Sequence, residues 1–184
     1  MSLQKWQETL VTAQVDGSAK TATAAASLLP AHAKYTLYAG FFEIGRTLRV
    51  TASGRISCAV TTPGTCRLQT MFGSTAVFDT LAVPLNIVAK TNVGWWLEAM
   101  LTCRVIGSSA QLFGQGSFTS EAVVGSPAPT AGGSGKIIVP YNTAPALGTA
   151  FDSTVAQTID LFHIQTVADT GSITLHNYMV EALN

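Results

Sequence analysis

Charge is scarce in this chain. Only 11% of its 184 residues are Asp, Glu, Lys or Arg, against a usual ~25%, and ten basic residues cancel ten acidic ones. A formal net charge of zero removes the electrostatic footprint that phosphate binding requires, so nucleic acid is not an expected partner. It also removes the colloidal repulsion that keeps a free monomer from its neighbours, which implies a surface made to be covered by other protein. Intrinsic disorder is disfavoured as well, because hydrophobic residues make up 47% of the chain, the reverse of the disordered signature.

Long apolar runs and cysteine are also in short supply. The most apolar stretch, 93–106, is interrupted by Glu98 and Arg104 and falls short of the ~20 residues a membrane helix needs, so no membrane partner is expected. The residues from Met1 to Glu8 hold no apolar core of a secretory signal, which leads to the expectation of synthesis in a cytoplasm without export by that route. Cys58, Cys66 and Cys103 are odd in number and set in apolar alternation, and they read as buried free thiols. If the strands around 61–65 pair as a hairpin, Val60 faces Cys66 and Leu68 faces Cys58. The two cysteines are then diagonal neighbours with Cα atoms about 7 Å apart, beyond comfortable bridging range. Helical signals are missing too: no window sustains a 3.6-residue period with caps at its ends.

What the chain has in abundance is a period of two. Leu48, Val50, Ala52, Ile56, Cys58 and Val60 share one parity, with Arg49, Thr51, Ser53, Arg55 and Ser57 on the other, which predicts a long half-buried strand. Gly54 interrupts its apolar row and predicts a bulge or bend. The alternation returns in Cys66, Leu68, Thr70 and Phe72, then in Trp95, Leu97, Ala99, Leu101, Cys103 and Val105, and more thinly over 112–118. Strands 155–167 and 172–183 flank Ala168-Asp169-Thr170-Gly171, whose turn chemistry predicts a terminal hairpin. Shorter strands are predicted at 8–15, 34–38, 75–81 and 136–139.

The prediction is therefore an all-β fold, an antiparallel β-sandwich that is jelly-roll-like, with about eight to ten strands. Residues 1–26 read as an N-terminal arm and first strand, and 27–184 as a single domain with a flexible loop near 125–150. That loop contains the low-complexity run 126–135.

Chemistry-bearing residues are few. The only histidines are His32, His163 and His176, none beside a nucleophile in a diagnostic motif, and phosphate-loop, zinc-helix and nucleophile-elbow patterns are missing. A tight turn at Asp169-Thr170 brings His163 opposite His176, but a third ligand is lacking. Asp160 points away from His163 at an odd strand offset. Asp16, Asp79, Asp152 and Asp169 read as solvated turn or strand-face acids rather than a glycosidase pair. No catalytic, cofactor-binding or metal-ligating residue is expected, and the chain is not expected to be an enzyme. Trp95 and Trp96 are adjacent on a strand, so only one can enter a given core. The other packs under a loop or anchors a subunit interface. The same alternatives attend Phe41, Phe42 and Trp6, and these five residues are the candidate interface set.

Several segments together resemble tailed-bacteriophage virion proteins. They are Trp6-Gln7-Glu8-Thr9-Leu10-Val11, Gly45-Arg46-Thr47-Leu48-Arg49-Val50-Thr51-Ala52-Ser53-Gly54, Trp95-Trp96-Leu97-Glu98-Ala99-Met100-Leu101-Thr102-Cys103-Arg104, Gly114-Gln115-Gly116 and Val180-Glu181-Ala182-Leu183. The resemblance spans nearly the whole chain, and its motifs are structural. It implies a jelly-roll capsid decoration or cement protein, related to head fibres, that binds as a homotrimer across junctions of the major capsid protein. The implied location is the capsid surface of a virion, after synthesis in the host cytoplasm. A receptor- or glycan-binding head or tail fibre domain is the alternative. Removing the first seven residues, Trp6 included, is expected to weaken particle binding while sparing the folded trimer.

Overall fold

The computed structural model describes residues 7–59, 62–123, 135–168 and 173–183. The strands are β1 (Gln7–Thr12), β2 (Ala26–Ser27), β3 (Tyr35–Leu37), β4 (Thr47–Cys58), β5 (Thr65–Phe72), β6 (Thr75–Asp79), β7 (Val83–Pro84), β8 (Lys90–Val105), β9 (Gln111–Ser120), β10 (Lys136–Val139), β11 (Gln157–Gln165) and β12 (Ile173–Leu183). A single 3-10 turn, Ala31–Ala33, is the one helical element among the described residues.

Period-two patterning dictates two layers, because each strand has one apolar face to bury. The front sheet runs β1-β12-β4-β8-β9-β10. In the back sheet β11 pairs β5 on one side and both β2 and β3 on the other, while β5 also pairs β6 and β7. Every pairing is antiparallel, and the molecule is an all-β antiparallel sandwich. Strands β4 and β12 run side by side in the front sheet, and their neighbours in sequence, β5 and β11, run side by side in the back sheet. One double strand thus wraps from layer to layer, the jelly-roll trait.

The predicted parities place the core. Leu48, Val50, Ala52, Ile56 and Cys58 of β4 are buried, as are Trp95, Leu97, Ala99, Leu101 and Cys103 of β8. They meet Leu68, Phe72, Ile159 and Leu161 from the back sheet in one continuous cluster. Val105 departs from its predicted inward row: the β8–β9 register shifts between Cys103 and Val105, and the side chain emerges to solvent.

Two predicted hairpins are corrected. The strands around 61–65 do not pair with each other, because β4 and β5 lie in different sheets. Cys58 instead sits opposite Lys90, and Cys66 opposite Gln165 and Val83. The strands around 166–172 likewise belong to different sheets. Turn chemistry marks where a chain reverses but not what it pairs with, and links of six and seven residues at up to ~3.3 Å per residue easily cross the ~10 Å between layers.

Much of the expected arm is fastened to the sheet. β1 pairs with β12, and the chain continues along the same edge through Ala13 N–H to Tyr178 O, Gly17 N–H to Leu175 O, and Lys20 N–H to Ile173 O, each 2.9 Å. The Gln7 amide donates to Glu181, which also accepts from Arg49 Nε at 2.6 Å. The arm's first six residues, Trp6 among them, lie outside the described residues, as do 124–134 of the predicted loop. Its later part, 142–149, is held to β9 by Gly148 N–H donating to Leu112 O at 2.8 Å.

Candidate functional site

Three turns come together at one pole of the sandwich: 38–46 between β3 and β4, 105–110 between β8 and β9, and 151–156 before β11. Backbone hydrogen bonds lock them. Gly40 N–H donates to Ser153 O, Ser153 N–H to Gly107 O, and Gly45 N–H to Cys103 O, each 2.9 Å. Gly107 N–H donates to Ser153 Oγ at 2.9 Å. The glycines are required by backbone shape rather than space, since Gly40, Gly45 and Gly107 have φ of 74°, 93° and 102° with nothing near a notional Cβ.

Beneath the turns lies an aromatic floor. Phe42 meets Phe41, Phe151 and Phe72 at centroid distances of 5.1, 5.3 and 5.5 Å, largely edge to face. The Arg46 guanidinium lies 4.9 Å from the Phe41 ring centroid and donates to Phe41 O. Above this floor Tyr38 is 62% exposed and Ile44 70% exposed, with Val105, Ile106 and Val155 also open to solvent. Five of the twelve large apolar side chains left exposed among the described residues thus lie on these three turns, the kind of surface that a partner covers. The pole's charges are engaged internally. Glu43 lies 3.8 Å from Arg46, Arg104 lies 5.8 Å from the Phe113 ring centroid, and Asp152 accepts from Thr154 N–H and Oγ1.

The candidate interface residues separate. Phe41, Phe42 and Trp95 are buried in the chain's own core, so the expectation that they anchor a partner is corrected. Trp95 also donates from Nε1 to Thr174 O at 3.3 Å. Trp96 points outward and is 47% exposed, while Trp6 lies outside the described residues. The pole residues Tyr38, Ile44, Ile106 and Val155 were not anticipated. Their signal was a large apolar side chain in or beside a Gly-bounded turn, where no strand face exists to bury it.

The ionisable groups are occupied structurally. His163 and His176 do not meet: His163 pairs in register with Leu68 and Ala26 in the back sheet, while His176 sits at a bulge of β12 with Nδ1 2.9 Å from Asp16. A cavity of about 400 Å³ opens between β6 and 140–149, and its one carboxylate among the described residues is Asp79. Burial pushes the Asp79 carboxyl up, but hydrogen bonds from Arg67, Gln69 and the Leu81 N–H outweigh this and hold it below its ordinary range. All three cysteines are buried thiols, and burial pushes the Cys66 thiol up to about 12, which makes it a packing group at neutral pH. Among the described residues no three His, Cys, Asp or Glu side chains are placed to hold a metal ion.

No family model matches the chain, and no curated protein matches it. Among solved structures it is similar to the CBM2 module of the evolved Dit of Lactobacillus casei BL23 phage J-1, at 12% identity and a TM-score of 0.30, over 82% of this chain and 68% of that one.

Proposed function

We propose that this chain is a non-enzymatic structural protein of a phage virion, a capsid decoration or cement protein that works by docking its apolar pole onto the shell. The observation that carries this reading is the locked triad of turns presenting Tyr38, Ile44, Val105, Ile106 and Val155. An apolar surface whose charged groups already have neighbours within the same chain fits a protein surface of like character. Each isoleucine buried there contributes roughly 2 kcal/mol gross, before the cost of association is subtracted. The sequence resemblance adds that three copies bind together across junctions of the major capsid protein, where several weak contacts act in parallel.

The test uses shells assembled without this chain. A double variant, Ile44→Lys with Ile106→Lys, keeps the wild-type thermal midpoint because both side chains are exposed, but binds shells at least about tenfold more weakly. Undiminished occupancy by the double variant overturns pole docking. Electron microscopy of the virion then gives the copy number: a shell-wide array supports decoration, and a few copies at a vertex or tail support a fibre.

A further inference from the structure

The front sheet's outward face has a second feature, far from the pole. Register places Asn177, Ser53, Trp96 and Thr119 in one row across β12, β4, β8 and β9. Trp95 occupies the core, so strand alternation forces Trp96 outward. The β12 bulge between Leu175 and Asn177 sets the end of that row, as bulges do when they re-aim a side chain. Thr12 at the end of β1 and Ala13 after it wall the near edge. The result is a groove of about 310 Å³ whose lining includes Thr12, Thr51, Ser53, Trp96, Asn177 and Met179, at the lower end of the ~300–1,000 Å³ typical of small-molecule sites.

We propose that this groove binds a neutral saccharide, with one pyranose ring laid on the Trp96 indole and its hydroxyls met by Ser53, Thr51 and Asn177. Two properties select that ligand. Among the described residues no carboxylate, ammonium, guanidinium or imidazole lines the groove, so the lining offers no ion pair to a phosphate or an acidic glycan. The exposed ring offers the negative face of its quadrupole to the C–H face of a sugar, beside hydroxyl and amide groups that donate and accept. Asn177 Nδ2 makes only a long 3.4 Å contact to Ser53 Oγ, leaving the amide capacity for a ligand. An apolar protein partner would leave this hydroxyl and amide row unpaired, at a cost in desolvation.

Trp96 lies nine residues along β8 from Val105, about 30 Å away at strand rise. A copy docked by its pole leaves the groove open, so the two sites can be tested separately.

The experiment titrates the full chain by calorimetry and by the Trp96 indole N–H resonance. The probes are neutral tetrasaccharides from dextran, galactan, rhamnan and chitin, with polygalacturonate and heparin tetrasaccharides as charged comparators. At least one neutral probe is expected to bind with Kd between about 10 μM and 1 mM and to shift that resonance. Trp96→Ala should weaken it at least about tenfold and Trp96→Phe no more than about threefold. Should Trp96→Ala perturb the fold, Ser53→Ala combined with Asn177→Ala makes the same comparison. The Ile44→Lys, Ile106→Lys double variant should bind the sugar as the wild type does, whatever happens to its shell binding. No neutral binding at about 10 mM, binding indifferent to these groove substitutions, or preference for a charged probe overturns the proposal.

Discussion

His163 is a polar side chain committed to an apolar place. It is buried between the layers, and its Nε2 has no hydrogen-bond partner among the described residues. Burial lowers its pKa from 6.5 to about 4, because a charged imidazole would lose its hydration with nothing to replace it. The unfolded chain takes up a proton near pH 6.5 while the folded chain resists until about pH 4. The unfolded state therefore binds more protons across that window, and stability is lost as pH falls through it. The expected loss is about 3 kcal/mol between pH 7 and pH 4. Urea unfolding of the wild type and of His163→Leu at both pH values measures it: the variant should lack that share of the slope. Equal slopes would show that the imidazole finds a partner on protonation.

At the scale of the element, the β4–β12 pair shows how one missing side chain shapes a strand. A Cβ at Gly54 would sit 1.9 Å from Thr174 O, a backbone atom that cannot swing aside. Gly54→Ala is thus expected to cost about 2 kcal/mol or more, read as a lower urea midpoint. Gly94→Ala on β8, where a Cβ meets nothing, should stay within about 0.5 kcal/mol of wild type. Matching midpoints would mean that β12 yields freely at this point. The sequence located the irregularity at Gly54 but not its form, because the bulge lies on the partner strand, which a pattern of single-strand parity does not describe. Each of the ten predicted strands has a counterpart in the fold. The two-residue strands β2 and β7 were not anticipated, since two residues display no period. Phe41 and Phe42 both enter the core because turn backbone does not alternate as a strand does, so the opposed facing of Trp95 and Trp96 has no parallel there. Which sheet each strand joins, and hence the wrapped topology and the pole, depends on contacts distant in sequence.

For the whole molecule, the balance of charge bears on how it attaches. Basic and acidic residues cancel over the full chain, and at the pole Glu43, Arg46, Arg104 and Asp152 have neighbours within the same chain. Docking there gains apolar burial without forming new ion pairs, so screening has little to act on. Shell affinity is expected to change less than about threefold between roughly 50 and 500 mM sodium chloride. A protein held by basic contacts to phosphate would lose about a thousandfold or more over a comparable range. Ammonium sulfate separates the cases further, because an excluded salt strengthens apolar burial while still screening charge. Apolar docking predicts tighter retention in sulfate at matched ionic strength, read by sedimentation of shells with bound chain. Release that climbs steadily with either salt would place the contact on charged groups and remove the pole from the docking surface.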